Sequence, residues 1–147
     1  MQAKRRPIYE AADNLSEERA VAQMFESAWR VSAEKLPKLE RMDYLLRRDG
    51  VAKAYMEIKC RRHNMGAYPT YTISTNKFVD MKILGLSSKL PVILAVSFLG
   101  NIQWVDCVQI DPKRLEITKG GRYDRQDEAD VEWMTHIPLD VFKGLKR

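Results

Sequence analysis

The residues of this 147-residue chain whose types and spacing most suggest chemistry are Asp43 and the triplet Glu57-Ile58-Lys59. In an extended strand, residues two apart share a face, so Glu57 and Lys59 stand side by side while Ile58 turns inward. A carboxylate in that position offers oxygen to a hard cation such as Mg²⁺. The neighbouring ammonium can hold, or help deprotonate, a water attacking a phosphate. Asp43, reached across a hairpin, adds a second carboxylate, and together they form a minimal phosphodiester-cleaving centre.

These residues need a strand pair to carry them. Arg41 to Arg48 and Val51 to Arg62 read as two strands joined at Asp49-Gly50, the strongest short hairpin signal in the chain. In the second strand Ala54, Met56, Ile58 and Cys60 alternate with Lys53, Tyr55, Glu57, Lys59 and Arg61, giving one apolar and one chemical face. A helix precedes the pair, starting near Asn14 or Ser16, ending before Pro37, and burying Val21, Phe25, Ala28 and Trp29. A loop with Gly66 and Pro69 leads to a second helix, Ser74 to Leu86, with Phe78, Met81 and one or more of Val79, Ile83 and Leu84 inward. Pro91 to Leu99 reads as a central strand covered on both faces, and Gly100-Asn101 turns it into Ile102 to Ile110. Lys119 to Asp130 reads as an exposed loop, Val131 to Ile137 as an edge strand, and Leu139 to Leu145 as a short terminal helix. The order implies an α/β sandwich on a mixed sheet.

In this setting the sequence resembles the PD-(D/E)xK nuclease superfamily, with its restriction-endonuclease-like fold. The resemblance rests on Asp43, on Glu57-x-Lys59 and on the order of elements. Met42 stands where the motif's proline would be. It implies an αβββαβ core, a mixed central sheet flanked by helices, and a DNA nuclease using Mg²⁺ or Mn²⁺. Asp43 and Glu57 would then ligate metal with help from the Ile58 carbonyl, and Lys59 would activate water and offset charge in the transition state. Many members add a Glu from the first helix. Glu18 projects roughly 40° from the middle of the apolar stripe and Glu17 about 60°, which favours Glu18.

Hairpin register tests the arrangement. A strict two-residue turn pairs Arg48 with Val51 and Asp43 with Met56, turning Asp43 to the apolar face. A three-residue loop, or a comparable irregularity, restores Asp43 to the face of Glu57. Lys53, Arg61, Arg62 and Lys77 are the cations expected near a phosphate backbone. Tyr68 and Tyr71, flanking Pro69, can stack on a base or cover the rim of a core. His63 and His136 have no partner at metal-ligand spacing and read as incidental.

Composition bounds the reading. Apolar residues at 45% and charged residues at 31% fit one domain over 1–147, and the net charge of +5 leaves a polyanion unrepelled. The two cysteines, with no secretory segment or span-length apolar run, suggest a reduced cytoplasmic protein without membrane contact. No phosphate loop, nucleophile elbow or dinucleotide fingerprint is present. Two further readings stay open: an inactive nucleic-acid-binding or assembly module on the same fold, and a structural protein with a solvated sheet face. By analogy alone, small size suits a phage or mobile-element nuclease that acts on DNA structure or ends, with a homodimer as one form it could take.

Overall fold

The computed structural model describes residues 8–38, 40–121 and 131–146. The first helix, α1, spans Ile8–Trp29. It begins before Asn14 and Ser16, because the Glu-Ala-Ala stretch ahead of them is helix-forming and nothing in it breaks the run. It stops where Arg30 takes a left-handed conformation (φ 54°). A short strand absent from the sequence reading follows, β1 (Ser32–Lys35). Four residues with one buried side chain, Ala33, leave no periodicity to detect.

β2 (Tyr44–Arg48) and β3 (Val51–Arg61) form the expected hairpin. Its tip is a two-residue turn in which Asp49 and Gly50 both have positive φ (51° and 77°), as the primed hairpin turns demand. Arg48 pairs with Val51 and Arg47 with Ala52, but Leu46 then pairs with Ala54. Lys53 is the extra residue of a β-bulge. Beyond it the register runs Leu45 with Tyr55 and Tyr44 with Met56, the last pair of the ladder; Asp43 precedes β2 and meets β3 through its carboxylate, which accepts the Ile58 amide. The parity change expected of the loop is thus made inside the strand.

β4 (Thr70–Ser74) was not read from the sequence; α2 (Thr75–Ser88) follows it directly. Phe78 and Met81 are buried and Leu84 packs on the core, whereas Val79 and Ile83 face outward. β5 (Val92–Phe98) is buried along its whole length. It turns through Leu99-Gly100, one residue earlier than expected, into β6 (Asn101–Asp106). β7 (Glu116–Gly121) occupies the start of the predicted loop, and 122–130 lie outside the described residues. β8 (Val131–Pro138) is not an edge strand. It lies between β4 and β7 in a small second sheet. The predicted terminal helix is instead one 3₁₀ turn, Leu139–Val141, followed by β9 (Lys143–Gly144).

The main sheet runs β1-β2-β3-β5-β6-β9, with β3 and β5 parallel and its other pairs antiparallel. It divides two cores. On one face Val21, Ala22 and Phe25 of α1 pack on Tyr44, Leu46, Met56, Ile58, Ile93 and Ala95. On the other, Phe78 and Met81 of α2, with Tyr71, Ile73 and Ile137 of the small sheet, pack on Val92, Leu94 and Val96. Among the described residues no helix is long and apolar enough to cross a membrane. Cys60 and Cys107 are unpaired.

α2 docks closely at Gly85, where a Cβ would lie 2.2 Å from Val108 Cγ2 and 3.2 Å from Val92 Cγ2. Gly85→Ala therefore overpacks the helix against Val108, in the 3₁₀ turn that follows β6, and against Val92 of β5. It should cost about 1–3 kcal/mol, a fall in melting temperature of roughly 3–10 °C, read by thermal unfolding; an unchanged melting temperature would refute the close docking.

Candidate active site

The site grows from a carboxylate placed deep in the sheet. Glu57 lies mid-strand on β3, between β2 and β5, and is 4% exposed. Its Oε2 meets Lys77 Nζ at 3.1 Å and Lys59 Nζ at 3.7 Å. Lys59 reaches it along the strand by the two-residue spacing, and Lys77 from the first turn of α2. Lys77 also donates to the Arg41 carbonyl, and Arg41 pairs through its guanidinium with Asp80 of α2 at 2.8 Å. The segment leading into β2 is thereby fastened to α2.

Asp43 ends that segment. Its Oδ2 accepts the Ile58 amide at 2.9 Å, and its own carbonyl accepts the Leu36 amide at 2.9 Å. Its Oδ1 lies 3.6 Å from Lys35 Nζ, which donates to Glu18 Oε1 at 2.5 Å. Lys35 was missed from the sequence because β1, which carries it, was missed. Its ammonium also lies 4.9 Å from the Tyr44 ring centroid. Carboxylate and ammonium therefore alternate from Glu18 through Lys35 to Asp43, and from Glu57 to Lys77 and Lys59.

The electrostatics follow from burial. Desolvation, then the Asp43 charge, raises the Glu57 pKa; Lys77 and Lys59 oppose the rise without cancelling it. Burial pulls Lys35 down, but its hydrogen bond to Glu18 and the charges of Asp43 and Glu18 outweigh that and leave it raised. Burial, with the Glu18 charge, pushes the Tyr44 phenol up.

The structure sorts the other candidates. Glu18 faces Lys35, whereas Glu17 points toward Arg62, 4.0 Å away at the surface. Arg61 donates to the Tyr71 hydroxyl at 2.8 Å, and Tyr71 is core, with a phenol that burial pushes up to about 12. Tyr68 is 60% exposed. Lys53 is not brought to Glu57: it sits at the bulge and lines a separate cleft with Trp29, Leu46 and Trp104. Among the described residues, no three His, Cys, Asp or Glu side chains gather as a metal-binding group.

A family model described as "Phage putative PDDEXK endonuclease" matches residues 4–145. The chain belongs to that family. The structure of Hjc from Archaeoglobus fulgidus, a Holliday junction resolvase from an archaeal hyperthermophile, superposes with a TM-score of 0.57 at 13% identity, covering 91% of each chain. No curated protein sequence matches. The chain therefore has the restriction-endonuclease-like fold that its residues suggested, with a mixed central sheet and two helices. The nuclease class to which it belongs generally uses divalent metal ions.

One consequence of the raised Glu57 pKa is testable without substrate. The folded state holds the Glu57 proton more tightly than the unfolded chain, whose value is near 4.5. Stability is therefore lost as pH rises from that value through the raised folded one, and the loss persists at neutral pH. Glu57→Gln, uncharged and similar in shape, removes it. In chelator, melting curves from pH 4 to 8 should show the variant more stable at pH 7 and the advantage shrinking toward pH 4; a variant less stable at pH 7 would contradict the direction.

Proposed function

We propose that this chain acts as a single nuclease domain that hydrolyses phosphodiester bonds in DNA with a divalent cation, Mg²⁺ or Mn²⁺. The observation that supports it most is the nearness of Asp43 and Glu57, the first bonded to the Ile58 amide beside the second, and the second buried and repelled by the first. Two carboxylates in that relation suit a hard dication, which relieves their repulsion and binds through oxygen. Asp43 and Glu57 would hold the ion with the Ile58 carbonyl, and Glu18, one ammonium away through Lys35, would reach it through water. Bound there, the ion polarises the phosphate and lowers the pKa of water.

The chain's own residues do the rest. Lys59, held beside Glu57, orients the attacking water and offsets charge developing on the phosphate. Lys77, tied to the Arg41 carbonyl, keeps the Glu57 carboxylate aimed and adds a second positive charge. Arg61 and Arg62, at the end of β3, extend positive charge along a bound backbone. Branched DNA belongs among the substrates to be tried, because a resolvase shares the fold.

Linear, circular, single-stranded and four-way-junction DNA incubated with Mg²⁺ and with Mn²⁺ should show cleavage of at least one form. Asp43→Ala and Glu57→Gln should abolish it, and Lys59→Ala should lower the rate about 10²–10³-fold. Equal digestion by wild type and Glu57→Gln would refute the assignment. A second check needs no cleavage: a cation at about 100 times its Kd stabilises the fold by about 2.7 kcal/mol through linkage. The shift in melting temperature should appear in wild type and vanish in Asp43→Ala; an inactive binding module on this fold would show none.

A further inference from the structure

Beside the carboxylate pair lies a groove that shares only Arg61 with the residues assigned above. It encloses about 570 Å³ of the space between the end of β3, the following loop and the small sheet, and is lined by Arg61, His63, Tyr68, Thr72, Phe98 and His136. Among the described residues no carboxylate lines it. Arg61 enters it from β3, two residues beyond Lys59 and on the same face, so the groove continues directly from the site.

Its walls are aromatic and its edges polar. His63 packs edge-on to Tyr68, with ring centroids 4.9 Å apart, and against Phe98 at 5.7 Å. Tyr68 nevertheless keeps 60% of its surface exposed. Across the groove, His136 is fixed by Thr72 Oγ1 on one ring nitrogen (3.0 Å) and Thr118 Oγ1 on the other (2.7 Å). The Arg61 guanidinium is held by the Tyr71 hydroxyl and ring, which leaves further N–H donors for an anion. An exposed aromatic face, described walls free of acids and an anchored arginine fit a nucleobase with its phosphate. A base can stack on Tyr68 only after leaving a duplex stack.

We propose that this groove holds one unpaired nucleotide of the substrate, its base on the Tyr68 ring and its phosphate at Arg61. This rests on the nuclease reading and narrows its substrate to DNA with unstacked nucleotides, whether single-stranded, flapped or branched. His63 then acts by bracing Tyr68, a role its sequence neighbourhood does not reveal.

The test uses the full chain carrying Glu57→Gln, so that bound DNA stays intact, and fluorescence anisotropy with a short oligo(dT) and with a duplex. Adding Tyr68→Ala should weaken oligo(dT) binding about tenfold and leave duplex binding unchanged, while Tyr68→Phe should bind as its parent does. With 2-aminopurine in the oligonucleotide, the quenching that stacking produces should be lost in Tyr68→Ala and kept in Tyr68→Phe. Unchanged oligo(dT) affinity in Tyr68→Ala, or equal loss on both DNAs, overturns the proposal. Tyr68 is exposed, so misfolding does not confuse the result. If the wild type cuts DNA but Tyr68 has no effect, only the nucleotide site fails; if Tyr68 governs binding but the wild type cuts nothing, the catalytic reading fails and the site stands.

Discussion

A carboxylate in the middle of a sheet is the constraint on which the rest of this structure turns. Glu57 is nearly sealed from solvent, and an ionised carboxylate in such a place is unfavourable unless it is paired. Pairing it takes more than its own strand can supply. Lys59 comes with the strand, but Lys77 must come from α2. Helix α2 in turn is held by its close approach at Gly85 and by the Arg41–Asp80 pair. The position of a helix and the charge state of a buried acid are thus one problem with one solution.

The neighbouring acid is managed differently. Asp43 is half-exposed and spends one oxygen on a backbone amide of β3, which fixes its place relative to Glu57 without adding a charge. Its other oxygen looks toward Lys35, and Lys35 is shared with Glu18. The modest +5 of the whole chain therefore says little about the site. What matters locally is that each acid has an ammonium close by and that the acids still repel one another.

Much of this was legible in the sequence because the signals were strong and local. The Asp-Gly tip, the alternation along Val51–Arg61 and the unbroken apolar run of Val92–Phe98 each state one structural fact directly. The bulge was foreseen as a need but not as a place: nothing about Lys53 marks it as the extra residue, since bulges answer to the pairing of two strands. Short elements were lost for the same reason. Ser32–Lys35 and Thr70–Ser74 become strands only through neighbours distant in sequence, and with the first went Lys35. Val131 to Ile137 read as an edge because its partners on both sides, Thr70–Ser74 and Glu116–Gly121, had not been recognised as strands.

The bulge also gives this hairpin an uneven tolerance to changes of length. A codon gained or lost at the Asp49-Gly50 tip alters a loop and leaves the pairs beyond the bulge, from Leu46 with Ala54 to Tyr44 with Met56, as they were. The same change between Lys53 and Glu57 exchanges the two faces of the strand, sending the acid into the apolar layer under α1 and an aliphatic side chain into its place. Drift in this gene is thus free at the turn and confined to even steps a few residues away. Lineages that differ in hairpin length should keep the count from bulge to acid fixed and vary the tip.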